Sequence, residues 1–158
     1  MANSQAKYDA DYIFNTINKE KYCWLNTIGP DGINSRIMTF ASDTALRRFY
    51  FLSFKTGQKV DEIKANPNVT LTISPAYEKI EDCSQTVVIG NVSMLDNFKD
   101  ELVQEGFRLI LAKDDHAQML FDGGGMGDYV MMKVDVKRLS FGIYKDLIKN
   151  LPKTVLEF

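Results

Sequence analysis

Histidine is almost absent from this chain: His116 is the only one in 158 residues. Cysteine is nearly as scarce. Cys23 and Cys83 belong to no Cys/His cluster with zinc-ligand spacing, so no metal site is expected. Two thiols in a chain of this length need no pairing, and both are expected to be free and buried. No apolar run approaches the roughly 20 residues that a membrane-spanning helix requires. The opening residues, Met1 to Lys7, also lack the apolar stretch of a secretory signal. Basic charge is not in excess either. A net charge of −2 and a pI near 5.4 argue against a nucleic-acid surface, while leaving room for a small cationic pocket. These absences predict a cytoplasmic protein that partners neither nucleic acid nor membrane.

What remains is the composition of a globular protein, 45% hydrophobic and 25% charged, enough for one core; residues 1–158 read as one domain. Tyr8, Tyr12, Ile13 and Ile17 recur near helical spacing and predict a helix over about residues 7–20. Strands follow at Tyr22 to Ile28 and Ile33 to Ala41, around the turn Gly29-Pro30-Asp31-Gly32, and then at Phe49 to Phe54. Thr56 is the expected N-cap of a two-turn helix, Lys59 to Ala65, which Asn66-Pro67 ends. Val69 to Ile73, Thr86 to Met94, Tyr129 to Asp135 and Leu139 to Tyr144 complete the strands, with Gly90 marking a bulge. A helix capped by Asp96 is expected to run to about Ala112, and a short one to cover His116 to Phe121. The apolar tail from Asp146 to Phe158 is expected to pack on the body or on a partner. The predicted fold is a small antiparallel barrel, mainly β, with peripheral helices.

Few residues suggest chemistry. Alternation puts Arg36, Met38 and Phe40 on one strand face, and Ser35, Ile37 and Thr39 on the other. Lys59 stands near a helix start, where the helix dipole disfavours a cation and favours an anion such as phosphate. Thr56 and Ser53 add hydroxyl donors, so Arg36 and Lys59 can share one phosphate. The run Gly123-Gly124-Gly125-Met126-Gly127 does not match G-x-G-x-x-G. It also follows a helix and precedes a strand, the reverse of a dinucleotide-binding turn, and reads as a flexible connector. His116, with no Ser or Cys nucleophile framed around it, reads as a residue at the end of a surface helix.

In their order along the chain these pieces resemble the FMN-binding split barrel of the pyridoxamine 5'-phosphate oxidase family, in its short, general-stress-protein-like members. The stretch from about Tyr22 to Tyr144 carries the resemblance: the Arg36 strand, the aromatic strand ending at Leu52 and Ser53, the Lys59 helix ending in Asn66-Pro67, the Gln85 strand, and the Gly turn before Asp128-Tyr129-Val130. It implies a six-stranded antiparallel split β-barrel that forms a homodimer with FMN at the subunit interface. It implies flavin contacts from Arg36, Ile37, Met38, Thr39, Leu52, Ser53, Gln58 and Lys59, with Gln85 reaching the partner subunit's site. The oxidase has an Arg where Gln58 stands, its substrate-binding Lys aligns near Ala41, and its C-terminal Arg-x-His motif has no counterpart here. Pyridoxamine 5'-phosphate is therefore not the expected substrate. Two readings follow: an FMN-dependent oxidoreductase acting on a small organic molecule, with a donor such as NAD(P)H, or an FMN-binding electron-transfer or cofactor-storage protein. A cofactor-free barrel that binds single-stranded nucleic acid is disfavoured by the acidic charge balance.

Overall fold

A computed structural model describes residues 7–122 and 126–158. Its centre is one antiparallel sheet. β1 (Tyr22–Gly29) and β2 (Gly32–Thr39) form the first hairpin, followed by β3 (Ala41–Asp43), β4 (Arg48–Phe54) and β5 (Asn68–Ile73). β6 (Ser84–Leu95), β7 (Tyr129–Ile143) and β8 (Thr154–Glu157) complete it. Hydrogen bonding joins seven of them in the order β2-β1-β5-β6-β7-β4-β3, and β8 pairs with β7. β2 and β3 lie at opposite ends of this path, yet only Phe40 separates them along the chain. The sheet must therefore roll until its ends meet, which gives a barrel split between β2 and β4.

The six strands expected are thus seven in the path, with an eighth added by the tail. The predicted strand Ile33 to Ala41 divides at Phe40, which turns into the core and hands the chain from one sheet end to the other. The predicted strands Tyr129 to Asp135 and Leu139 to Tyr144 are one, because Val136-Lys137-Arg138 contains no turn residue and stays extended. Ile89 pairs with Arg138 and Gly90 with Val136, so Lys137 is the extra residue of a bulge beside Gly90, at the expected place. A Cβ on Gly90 would lie 2.5 Å from Val134 Cγ1 and 2.8 Å from the Asp135 carbonyl oxygen, so no larger residue fits this crossing.

Among the described residues five α-helices flank the sheet. α1 (Ala10–Ile17) is capped by Asp9 and buries Ile13, Phe14 and Ile17 in the main core with Leu25, Phe49, Phe51, Leu71 and Phe141. α2 (Gln58–Ala65) follows β4. α3 (Glu101–Leu111) turns Val103, Phe107 and Ile110 onto Ala41, Tyr50 and Met131, a second core on the outer side of the barrel. Its cap is Asp100 rather than Asp96, because Asn97 first holds a turn by accepting from Lys99 N and Asp100 N. α4 (His116–Asp122) is short, and Gly123, Gly124 and Gly125 of the expected connector lie outside the described residues. α5 (Tyr144–Leu147) opens the tail. Its buried Asp146 accepts from Lys7 Nζ at 2.5 Å and from the Tyr8 hydroxyl at 2.8 Å, so the tail packs on the body. Cys23 and Cys83 are free, as expected; Cys23 is buried, but Cys83, just before β6, is only half-buried and departs from the expectation of two buried thiols. Among the described residues no helix is long and apolar enough to cross a membrane.

Candidate functional site

Strand pleating sets the site. Thr27 of β1 and Asn34 and Arg36 of β2 face the barrel side, and paired registers bring them together: Thr27 opposite Asn34, Leu25 opposite Arg36. All three converge on Glu62 of α2, a buried carboxylate. Arg36 donates one guanidinium N–H to Glu62 Oε2 at 2.8 Å and another to Thr27 Oγ1 at 2.6 Å. Thr27 Oγ1 donates to Glu62 Oε2, and Asn34 Nδ2 donates to Glu62 Oε1 at 2.6 Å. The Thr27 hydroxyl holds the Glu62 carboxyl below its ordinary range; burial opposes this, and Arg36 and Asn34 reinforce it. Gly29 admits the helix this closely, since a Cβ there would come within 3.0 Å of Glu62 Oε1.

Lys59 lies one helical turn before Glu62. Its ammonium makes no hydrogen bond or ion pair among the described residues. Burial lowers its pKa, and the neighbouring Arg36 charge lowers it further. The amine folds back over the helix start, 3.5 Å from where a Gly57 Cβ would stand. The N-cap there is Gly57 and not Thr56, and it offers no side-chain cap. The first-turn N–H groups of Gln58 and Lys59 therefore lack acceptors among the described residues. Two cations and one carboxylate leave this corner with one uncompensated positive charge beside free amide donors. That is the environment an anion stabilises.

The other expected contacts divide among different surfaces. Ile37, Met38, Thr39 and Leu52 come together, lining a cavity of about 220 Å³ at the split with Ile110, Asp114, His116 and Ala117. Ser53 is buried on β4 and donates to the Phe54 carbonyl at 3.2 Å. Gln58 lines a separate groove of about 500 Å³ with Ile28, Pro30 and Glu62. Gln85 is not brought to the cavity. It is exposed on the sheet's outer face, two residues before Val87, which stands in register with Thr72, Trp24 and Ile37 across three strands. That face leaves Tyr22, Trp24, Ile28, Ile33 and Ile37 exposed, Ile37 by 58%.

The sequence reading missed Glu62 and Asp114. Lys59 and Glu62 are three apart and so share a helix face, the one signal that pointed at Glu62. Asp114 accepts locally from the His116 backbone N–H, but its other partners, Lys21 and Thr39, are far away in the chain, and only the folded structure brings them together.

A family profile described as pyridoxamine 5'-phosphate oxidase matches residues 11–141. The chain belongs to that family. Solved structures share its fold: general stress protein 26 of Bacillus anthracis (16% identity, TM-score 0.62, covering 94% of this chain and 98% of that one). So do an FAD-binding protein of Mesorhizobium loti (17%, 0.67, 85% and 94%) and HutZ, the heme storage protein of Vibrio cholerae (12%, 0.64, 83% and 91%). At these identities the likeness is one of fold. A search of curated proteins returns no match.

The Glu62 cluster has a pH signature. Its carboxyl is held down in the folded state, so the stabilisation is present above the unfolded value of about 4.3. It is lost as pH falls through the lower folded value. Urea unfolding of wild type and Glu62→Gln should differ most at neutral pH, and the difference should shrink as pH falls below about 4.3. A difference that does not change with pH would show that Glu62 is not ionised in this cluster.

Proposed function

We propose that the chain is an FMN-binding flavoprotein whose phosphate site is the start of α2. The observation that carries this reading is Lys59: a half-buried ammonium with no carboxylate of its own, over an uncapped helix start, beside Arg36. A phosphate dianion there would accept from Lys59 Nζ and the free N–H groups, and would relieve the repulsion between Lys59 and Arg36. Arg36 spends two of its five N–H donors on Glu62 and Thr27, so the others remain for the phosphate. Ile37, Met38, Thr39 and Leu52 would line the flavin ring, Ser53 would lie behind that wall next to Leu52, and Gln58 would contribute its free backbone N–H at the phosphate end. FMN, when bound, supplies the redox chemistry of its ring. The side chains bind it, orient it and shield it from water, in the service of an oxidoreductase acting on a small organic molecule.

The outer sheet face supports a homodimer. Trp24 and Ile37 stand side by side in register on it, exposed, with Ile33, Ile28 and Tyr22. A second copy is the occupant we propose, with Gln85 of each chain reaching the other's flavin. Light scattering should report a dimer. Replacing both Trp24 and Ile37 with Glu should give a folded monomer that binds FMN more weakly. An unchanged dimer would remove this face from the interface.

Pyridoxamine 5'-phosphate is excluded from the proposal, because Ala41 is buried under α3 where the family's substrate Lys aligns. The FMN-loaded protein should form no pyridoxal 5'-phosphate from it; stoichiometric formation would overturn that exclusion.

The phosphate assignment is tested by affinity. Lys59→Ala removes a charge-assisted hydrogen bond worth about 1.5–3 kcal/mol, roughly ten- to a hundredfold in Kd for FMN. Riboflavin, which has no phosphate, should lose little. Arg36→Ala is a different experiment, because it also strands the buried Glu62 and should lower stability. Equal losses for FMN and riboflavin in Lys59→Ala would take Lys59 out of the phosphate site.

A further inference from the structure

A groove of about 500 Å³ opens beside the start of α2 and runs along the helix. One wall is the tip of the first hairpin, with Ile28 and Pro30; the other is α2, with Gln58, Asp61, Ala65 and the C-cap Asn66. Gln58, Asp61 and Ala65 stand at i, i+3 and i+7 and form one stripe of the helix. A rise of about 1.5 Å per residue makes that stripe roughly 10 Å long. At its near end the groove meets the phosphate corner: Gln58 belongs to both, and the groove's floor is Glu62, the carboxylate that Arg36 holds. Its polar side chains are unspent. The Asp61 carboxylate and the Gln58 amide have no hydrogen-bond or ion-pair partner among the described residues. Asn66 is held in place, its Oδ1 accepting from Asn68 N at 3.1 Å and from Asn68 Nδ2 at 2.9 Å, which leaves Asn66 Nδ2 free to donate. A purely apolar occupant would strand these groups, and an acidic one would meet Asp61.

We propose that this groove takes the adenosine half of FAD, which makes FAD the preferred form of the cofactor. The inference rests on the phosphate site at Lys59. FAD is FMN extended from its phosphate, and the groove leads away from the place where that phosphate sits. The diphosphate of FAD is a dianion, as the FMN phosphate is, so the charge at Lys59 and Arg36 serves both. The order of groups along α2 matches the order along the ligand. The first-turn N–H groups of Gln58 and Lys59 come first and meet the diphosphate. Asp61, one turn on, accepts from the ribose hydroxyls, as carboxylates do in other dinucleotide sites. At the far end the adenine ring lies flat between Pro30 and Ala65, and Asn66 Nδ2 donates to a ring nitrogen.

Calorimetric titration of the full chain with riboflavin, FMN and FAD separates the two readings. FMN should bind more tightly than riboflavin, and FAD about tenfold more tightly than FMN, the gain from one or two further hydrogen bonds. Ala65→Phe fills the far end of the groove from an exposed helix position, and circular dichroism checks that it folds. It should bring FAD down to the affinity of FMN and leave FMN and riboflavin as they were. Asp61→Asn should weaken FAD several-fold. FAD bound no more tightly than FMN, an advantage that survives Ala65→Phe, or an Asp61→Asn chain with wild-type affinity for FAD overturns the proposal and leaves the phosphate site standing. FMN bound no better than riboflavin refutes the phosphate site, and the placement of FAD along α2 falls with it. A chain that binds none of the three refutes both.

Discussion

Glu62 is a charge that the fold places between a helix and a sheet, where an unpaired carboxylate would be costly. Three donors from two strands meet it, and each is supplied by the pleat of the first hairpin: Thr27, Asn34 and Arg36 all face the same side. The cluster ties α2 to β1 and β2. It also sets which way the rest of α2 looks. With Glu62 directed to the sheet, Val60 and Ile63 fall into the main core, and Lys59 is left over the open helix start. The placement of the candidate phosphate site follows from a salt bridge that does not itself need the phosphate.

The charge balance at this corner explains why one lysine matters. Arg36 alone would be neutralised by Glu62, and the acidic chain as a whole offers no general attraction for anions. Lys59 restores a local excess of one positive charge where two amide N–H groups also lack acceptors. Pocket chemistry and net charge are independent here. A protein with a pI near 5.4 can therefore hold a dianion.

The strands and their faces were legible in the sequence because alternation is local. The Arg36–Met38 face, with Ile37 on the opposite one, and the bulge at Gly90 stand where the residue pattern puts them. The strand count was not legible. Whether Ile33 to Ala41 is one strand or two depends on where Phe40 finds its cavity, and the strand at Thr154–Glu157 exists only because β7 offers an edge. The Arg36 side chain was read as a phosphate ligand, and its bond to Glu62 lies beyond sequence reading, since the two are 26 residues apart. The same limit hid the Asp114 cluster, where Lys21, Thr39 and His116 meet only once the sheet has rolled. Family membership was readable from the order of the pieces, and the profile match over residues 11–141 establishes it.

The account's central claim is that the uncompensated charge at Lys59 holds a phosphate as its dianion. The ³¹P resonance of FMN reads this directly, because a free phosphomonoester changes charge with a pKa of about 6. Bound to this protein, the FMN signal should stay at the dianion position from neutral pH down to about one unit below that value, and should titrate normally in the Lys59→Ala protein. A bound FMN whose ³¹P shift follows the free cofactor's titration would place the phosphate in solvent and contradict the account.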